Sequence, residues 1–383
     1  MTALAMVIGI WVLIEATSSA RAAVTTSEIG LRSVCPPEAN VVTFNVAAIN
    51  VDITLNRHGD HDPKGRMYVL EQDIAAVRAQ EHAPLPDRVS IGLRDDPIQP
   101  LIIRANLGDC VHINLKNQLQ GERASVHFHR GVIDPANGGD NVGNNADSTI
   151  GPGESATYTV YIPDRPEMEG TFYFHSHGDA REQVMHGLMG GLVAEPNGSV
   201  YLHPDTLMPM RSGWEAVIGN EDSSIPSFRE QALVYHEVGD ETYQPLDKNN
   251  QALPVIDPTT GSYRPCARAI NYRSECFMRR MQLTGEESLA YSSYHAGDPP
   301  TPMPRSYVGD PMKTRLIHGG SEMAHVHHLH GGSDRWRLQP NTEAPDVMFK
   351  GLVKQPLDVV SKSQRLDAQS IGPGETYNLE HEC

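Results

Sequence analysis

The stretch Gly108-Asp-Cys-Val-His-Ile-Asn-Leu115 alternates apolar and polar residues after a Gly-Asp turn. A period of two residues is typical of a β-strand that buries one face. His127-Phe-His129 begins 19 positions after Gly108, and in the second half His328 follows Gly309 by the same 19 positions. Because the Gly-Asp turn and the histidine pair recur at the same spacing of 19 positions, the sequence indicates two copies of one structural unit.

A second turn strengthens this repeat. Gly151-Pro-Gly-Glu154 follows the first histidine pair, and Gly372-Pro-Gly-Glu375 follows the second. The chain of 383 residues also holds 33 glycines and 28 prolines, which favours many short strands over long helices. We therefore predict an all-β fold of tandem Greek-key β-sandwiches, with one domain over residues 35–200 and another over 201–383. Residues 238–265 are predicted to form a long surface loop inserted in the second domain.

The 18 histidines are clustered, and seven of them lie in three short motifs. In a strand, residues i and i+2 project to the same face, so each His-x-His motif places two imidazoles side by side. Imidazole is a ligand for copper, zinc, iron and nickel. One such pair is weak evidence for a metal site, whereas three pairs, two of them at equivalent positions of a repeat, predict one. The candidate metal ligands are His127, His129, His175, His177, His325, His328 and His330.

These motifs resemble the first three of the four ligand motifs of multicopper oxidases. The matching segments are His127-Phe-His129-Arg-Gly131, Phe174-His175-Ser-His177-Gly178 and His325-Val-His-His328-Leu-His330-Gly331. The turn at Gly151 and the strand Gly190-Gly-Leu-Val-Ala-Glu-Pro196 are also similar to the family. The resemblance runs from about residue 40 to the end of the sequence. It implies cupredoxin-like domains and copper as the cofactor.

The resemblance also implies a role for each histidine. His127 and His328 would hold a type 2 copper, and His325 would be one ligand of a type 1 copper, where electrons enter. The binuclear type 3 centre would be held by His129, His175, His177 and His330. The implied enzyme is an oxidoreductase that takes electrons from phenolic, aromatic or metal-ion reductants and reduces dioxygen to water. Two-domain members of the family are usually trimeric, which implies a possible homotrimer.

Two features depart from the family pattern. His327 creates a second possible His-x-His register, 325/327, beside 328/330, and the repeat spacing selects 328/330. The fourth motif, a His-Cys-His run that completes the type 1 site, is absent. Gly151 precedes His175 by 24 positions, so Gly372 predicts a histidine near position 396. We therefore expect the sequence to be a truncated form of a longer chain with an incomplete second domain.

Composition limits the partners of the chain. With 31 Lys and Arg against 48 Asp and Glu, the net charge of −17 argues against nucleic acid or an anionic membrane as a partner. Residues 1–22 carry a short apolar run followed by Ala20-Arg-Ala22, a pattern that predicts a signal peptide, although no positive charge precedes the run. The alternatives are a mispredicted start of the chain and a single uncleaved anchor. We expect a secreted or periplasmic protein, without membrane insertion elsewhere in the chain.

The five cysteines suit an exported protein. Cys266 and Cys276 are candidates for one disulfide and Cys35 and Cys110 for another, which leaves Cys383 unpaired.

Near the histidine motifs, Asp140, Asp147 and Asp179 are candidate proton donors, although solvated loop carboxylates are the plainer interpretation. Two other functions are considered, a copper-binding electron-transfer protein without oxygen chemistry and a zinc- or iron-dependent hydrolase. The sequence does not identify the reductant.

Overall fold

Short strands dominate the computed structural model, which describes residues 34–220, 227–320, 322–330, 336–338 and 365–382. The signal peptide predicted at residues 1–22 and Cys383 lie outside the described residues. The strands of the first half are β1 (Val41–Asn50), β2 (Ile53–Thr54), β3 (His61–Asp62), β4 (Arg66–Leu70), β5 (Leu101–Asn106), β6 (Cys110–Asn117), β7 (His127–Phe128), β8 (Val132–Ile133), β9 (Ser155–Tyr161), β10 (Gly170–His175) and β11 (Met189–Glu195).

The second half continues with strands of the same kind. They are β12 (Ser199–Leu202), β13 (Glu215–Asn220), β14 (Phe228–Glu237), β15 (Arg268–Ile270), β16 (Pro311–Gly320), β17 (His325–His328), β18 (Trp336–Leu338), β19 (Arg365–Leu366), β20 (Ala368–Ile371) and β21 (Thr376–Glu382). The described α-helices are short: α1 (Ile74–Glu81), α2 (Ala180–Met185), α3 (Phe277–Thr284), α4 (Glu287–Ala290) and α5 (Ser293–Ala296). The predicted all-β class is confirmed.

Two sheets form a sandwich in the first half. One has the strand order β4-β1-β6-β9-β8 and the other β5-β11-β10-β7. Within them β1 runs parallel to β6 and β5 parallel to β11, whereas the remaining pairs are antiparallel. The alternating stretch that opens at Gly108 forms β6, where Val111, Ile113 and Leu115 are fully buried. Their side chains join the core between the sheets, as the period of two requires.

The second half is built on one large sheet. Its strand order is β12-β13-β14-β16-β21-β18-β19, with β15 added beside β14, and β17 pairs with β20 in a separate two-stranded sheet. Sheet membership changes between Glu195, the end of β11, and Ser199, the start of β12. Residues 238–267 contain no helix or strand, and α3 to α5 follow before β16. We refer to residues 238–310 as the insertion.

The two halves share a hydrophobic core. Ala232, Val234 and Ile317 of the large sheet pack in one buried cluster with Tyr173 and Val193 of the first sandwich. At this interface the main chain comes close: a Cβ placed on Gly319 would lie 2.0 Å from the sulfur of Met189. At these residues the apolar contact is continuous from one half into the other.

A network of buried ionised side chains crosses the same interface. Its members, all at most 3% exposed, are Arg104, Glu169 and Glu195 from the first half and Glu230, Lys313, Arg315 and Glu380 from the second. Arg315 is central, because it contacts Glu195, lies 3.2 Å from Glu230 and lies 3.5 Å from Glu169. Arg104 pairs with Glu230, and Lys313 pairs with Glu169. Carboxylates of each half are thus paired with cations of the other half.

The network has four carboxyl groups for three cations, so its charge depends on protonation. Burial raises the pKa of Glu195 to about 8, in spite of the opposing effect of Arg315. For Glu230 burial acts in the same direction, but Arg104 and Arg315 outweigh it and lower the pKa to about 2. Glu195 therefore retains a proton at neutral pH, and burial also raises the pKa of Glu380.

Both predicted disulfides form. Cys35 is joined to Cys110 at a Cα–Cα distance of 5.7 Å, which ties the start of the first sandwich to β6. Cys266 is joined to Cys276 at 4.7 Å, within the insertion. Both bonds suit an oxidising compartment.

Replacement of Arg315 by methionine tests the buried network. We expect Arg315→Met to lower the free energy of unfolding by about 3–5 kcal/mol, because the carboxylates around it stay buried without their shared cation. The measurement is urea denaturation at pH 7. The matched control is Arg165→Met, whose side chain is 60% exposed beside Glu167 and whose loss should cost at most about 1 kcal/mol. Equal effects of the two substitutions would contradict a central role for Arg315.

Candidate metal centre

Strand pairing brings the first two histidine motifs together. β7 and β10 are antiparallel neighbours, and their register places His127 directly opposite His175. His129 and His177 lie just beyond the ends of these two strands. The ring centroids of His127 and His177 are 4.7 Å apart, those of His129 and His175 5.1 Å, and those of His175 and His177 4.8 Å. We call His127, His129, His175 and His177 the histidine quartet.

Main-chain contacts orient the rings of the quartet. His127 donates a hydrogen bond from Nδ1 to the carbonyl oxygen of Gly138 at 2.8 Å, and His175 donates from Nδ1 to Ser176 at 3.0 Å. Their Nε2 atoms are therefore left with a free lone pair. The Nε2 atoms of His175 and His129 lie 3.0 Å apart. With Nδ1 held by a carbonyl, Nε2 of His127 and Nε2 of His175 are the ring nitrogens that could bind a metal.

Burial favours the neutral form of three imidazoles of the quartet, those of His129, His175 and His177. Burial, followed by the neighbouring His129, lowers the pKa of His175 to about 3. The pKa values of His129 and His177 are also lowered, first by burial and then by His127. A neutral imidazole is the form that binds a metal ion, so these three histidines are available as ligands at neutral pH.

The second half contacts the quartet through the repeated turn. His129 hydrogen-bonds to the main chain of Gly374, and Tyr173 donates from its hydroxyl to the carbonyl of Gly319 at 2.5 Å. Gly374 has φ +80°, and a Cβ there would lie 2.9 Å from Cε1 of His129. Only glycine suits both this φ value and this close approach. The turn that the sequence repeat identified is thus a wall of the site.

The three aspartates near the motifs occupy different positions. Asp140 is buried, and its Oδ2 lies 3.5 Å from Nδ1 of His127. Asp147 is exposed and pairs with Arg123 at 3.3 Å. Asp179 accepts a hydrogen bond from the main chain of Glu182 and caps α2. Only Asp140, of these three, has a contact with a histidine of the quartet.

The third motif lies on β17, and its side chains alternate between two faces. His325 and His327 are the more buried residues of this strand, and Val326 and His328 are exposed. Nδ1 of His327 lies 2.9 Å from the hydroxyl oxygen of Tyr235. The rings of His328 and His330 are neighbours, with centroids 4.7 Å apart. The structure therefore places the 325/327 and 328/330 registers on opposite faces.

The structure does not join this motif to the quartet by ring contacts. Among the described residues, the ring of His328 contacts His330 and neither contacts a member of the quartet. His325 lies instead beside His318, with centroids 5.1 Å apart, and its Nε2 is 3.0 Å from Oε1 of Glu237. Sequence reasoning missed Glu237 and His318, because no motif spacing connects them to His325.

Comparisons with known proteins find relatives of part of this chain. A family model described as multicopper oxidase matches residues 83–199. The iron transport multicopper oxidase fetC of Epichloe festucae is 40% identical over 91 residues, which is 24% of this chain and 14% of that protein. Laccase-2 of Pleurotus ostreatus is 25% identical over 189 residues, covering 44% of this chain and 34% of the laccase. The chain thus spans about a third or less of the length of these relatives.

A solved structure supports the fold. The copper nitrite reductase from Nitrosomonas europaea superposes with a TM-score of 0.50 at 14% identity, over 90% of this chain and 85% of that chain. At this level of identity the similarity concerns the fold alone, and it confirms the cupredoxin-like sandwiches predicted from the sequence. In the described part of the chain, no helix is long and apolar enough to cross a membrane.

The protonation of His175 makes the metal-free chain sensitive to acid. Its folded pKa of about 3 lies below the unfolded value of 6.5, so unfolded chains bind a proton that the folded chain does not. Above pH 6.5 His175 is neutral in both states, and the free energy of unfolding keeps its full value. As the pH falls from 6.5 towards 3, proton binding by the unfolded chain lowers the free energy of unfolding. We expect His175→Gln to reduce the loss of unfolding free energy between pH 7 and pH 5, measured by urea denaturation. The control His82→Gln, at a side chain 74% exposed, should keep the wild-type dependence. An unchanged dependence in His175→Gln would contradict the assignment.

Proposed function

We propose that this chain, a multicopper oxidase by the match of residues 83–199 and by its relatives, oxidises a reductant and reduces dioxygen to water at copper held by its histidines. The observation that carries the proposal is the clustering of the quartet, in which Nδ1 of His127 and Nδ1 of His175 lie on carbonyl oxygens and the Nε2 atoms of His175 and His129 are 3.0 Å apart. Copper bound there would supply one-electron chemistry and a binding place for dioxygen. Four reductant molecules lose one electron each, and one dioxygen takes up four electrons and four protons to give two waters.

In this proposal the protein residues have separate tasks. His129, His175 and His177 would hold the type 3 pair with His330, and His127 and His328 would hold the type 2 copper. His325 would be a ligand of the type 1 copper through Nδ1, because its Nε2 faces Glu237 at 3.0 Å. A carboxylate beside the second nitrogen of a ligand histidine fixes its tautomer and ring orientation. Asp140, buried beside His127, is the proposed donor of protons to the oxygen site.

The placement of His328 and His330 bears on assembly. Because their rings contact each other and not the quartet of the same chain, we propose that they complete the quartet of a second copy. A closed ring of copies, such as the homotrimer, would let every chain give one pair and receive another.

The alternative of an electron-transfer protein is less well supported, since a mononuclear site does not need four converging imidazoles. The two disulfides suit the proposed secreted or periplasmic location.

Copper titration tests the quartet directly. We expect His175→Ala to weaken copper binding by more than about tenfold, since substitutions that only disturb the orientation of a ligand already cost about that much. His82→Ala, on the exposed end of α1, should bind copper as the wild type does. Affinity is measured by competition with a chelator, and oxygen uptake is followed with a phenolic dye and with Mn(II). Equal copper affinity of the two variants would rule out the quartet as the copper site.

A mixing experiment tests the assignment of pairs to different copies. The double variants His129→Ala/His177→Ala and His328→Ala/His330→Ala should each lose high-affinity copper binding. Mixed and allowed to exchange subunits, they should regain part of it, because some interfaces then combine an intact quartet with an intact His328/His330 pair. Sedimentation of the mixture reports the size of the assembly. No recovery in assemblies shown to contain both variants would mean that each cluster is built within one chain.

A further inference from the structure

The ladder between β7 and β10 ends at the quartet. Its last paired residues are His127 and His175, and Ser176 and His177 follow β10 outside the sheet. Where a ladder ends in the protein interior, the next main-chain N–H groups lose their strand partners and need other acceptors. Two serine side chains lie at this point, Ser125 before β7 and Ser176 after β10. We call them the serine pair.

The two hydroxyls replace the missing ladder partners. The N–H of His177 donates to Oγ of Ser125 at 2.9 Å, and the N–H of Ser125 donates to Oγ of Ser176 at 3.1 Å. Oγ of Ser176 accepts a second hydrogen bond, from the N–H of Gly178 at 3.1 Å. Both serines are fully buried, so the loss of a hydroxyl leaves these N–H groups without an acceptor.

Ser125 also holds the loop that orients His127. Its hydroxyl donates to the carbonyl of Gly139 at 2.5 Å, and the neighbouring carbonyl of Gly138 accepts the hydrogen bond from Nδ1 of His127. One hydroxyl therefore connects the main chain of His177 on one side to the loop beside the His127 ring on the other.

This loop is packed closely against the segment before β7. A Cβ on Gly139 would lie 2.0 Å from the carbonyl oxygen of Val126, and the φ of +76° at this position favours glycine. Asp140 follows in the same loop, with Oδ2 3.5 Å from Nδ1 of His127. A change at Ser125 is therefore transmitted to Asp140 as well as to the ring.

The second copy of the repeat has no such serine. His328 is equivalent to His127 in the repeat, so the residue equivalent to Ser125 is Val326, which is 63% exposed. Valine has no hydroxyl and cannot link two segments by hydrogen bonds of its side chain. The serine before the motif belongs to the half that carries the quartet.

We propose that the serine pair positions the quartet: its hydroxyls hold His177 beside His127 and, through Gly139, fix the orientation of the His127 ring. The proposal rests on the proposed function in taking copper as the ion that the quartet holds. Residues that orient metal ligands change metal affinity by about 10–100-fold when they are replaced. Ser125 has the larger part, since its hydroxyl both accepts and donates.

Titration of the metal-free chain with Cu(II), in competition with a chelator, tests this role. We expect Ser125→Ala to weaken binding by more than about tenfold. The hyperfine splitting of bound Cu(II) in the electron spin resonance spectrum should also change, because the rings of His127 and His177 change position. Ser176→Ala keeps the bond from Ser125 to Gly139 and should weaken binding by a smaller factor.

Tyr201→Phe is the matched control. It also removes one buried hydroxyl with two hydrogen bonds, to the carbonyl of Ala105 and to Oδ1 of Asn106. Ala105 pairs with Ala194, at the end of β11 away from His175. This variant should lose stability in urea as Ser125→Ala does, yet bind Cu(II) with the affinity and spectrum of the wild type. Wild-type affinity and spectrum in Ser125→Ala would overturn the positioning role.

Amide hydrogen exchange of the metal-free wild type tests the same contacts without any substitution. The N–H groups of His177 and Ser125 should exchange slowly, as buried hydrogen-bonded amides do, whereas the exposed Gly143 gives the fast reference. Fast exchange at His177 and Ser125 would overturn the proposal even if a serine variant failed to fold. A wild type that does not bind Cu(II) would refute the proposed function and the serine role with it, whereas normal binding by Ser125→Ala refutes the serine role alone.

Discussion

The buried pairing of Arg315 with carboxylates from both halves is the constraint on which the rest of the structure depends. Its partners Glu195 and Glu169 belong to the first sandwich, and Glu230 belongs to the second half. A salt bridge buried to this degree contributes less to net stability than to specificity, because any other arrangement leaves a charge in the interior without a partner. The network therefore permits one alignment of the two halves, and apolar contacts alone would not be so selective.

This alignment has consequences at the quartet. β16, which carries Arg315, ends at the segment where Gly319 accepts a hydrogen bond from Tyr173. β21 follows the turn at Gly374 that contacts His129. A shift between the halves would move both contacts together, since interfaces packed this tightly do not deform continuously. The chemistry of the first sandwich thus depends on the position of the second half, even though all four imidazoles of the quartet belong to the first.

The insertion adds a separate level of organisation. It is held to the large sheet by β15 and closed internally by the Cys266–Cys276 disulfide. Because most of it lies outside the repeated unit, its exposed residues can differ without disturbing the strands that carry the histidines, whereas its buried Arg273 is paired with Asp96 of the first half. Loops on a rigid scaffold commonly carry specificity for this reason. The division places the candidate metal ligands on or next to strands and part of the surroundings of His325 on the insertion.

The sequence by itself determined the all-β class and the pairing of imidazoles within each His-x-His motif, because both follow from local rules, and it offered the two cysteine pairs as candidates. A period of two residues predicts a strand, and two histidines two positions apart share a face of that strand wherever it lies. Only the tertiary structure decided which motifs meet. The pairing of β7 with β10 brings His127 to His175, and β17 turns His325 towards Glu237 and His328 away from it. Glu237 and the buried network carry no sequence signal, since an isolated acidic or basic residue is usually on the surface. Their roles arise from contacts between residues far apart in the chain, and such contacts exist only after the halves have packed.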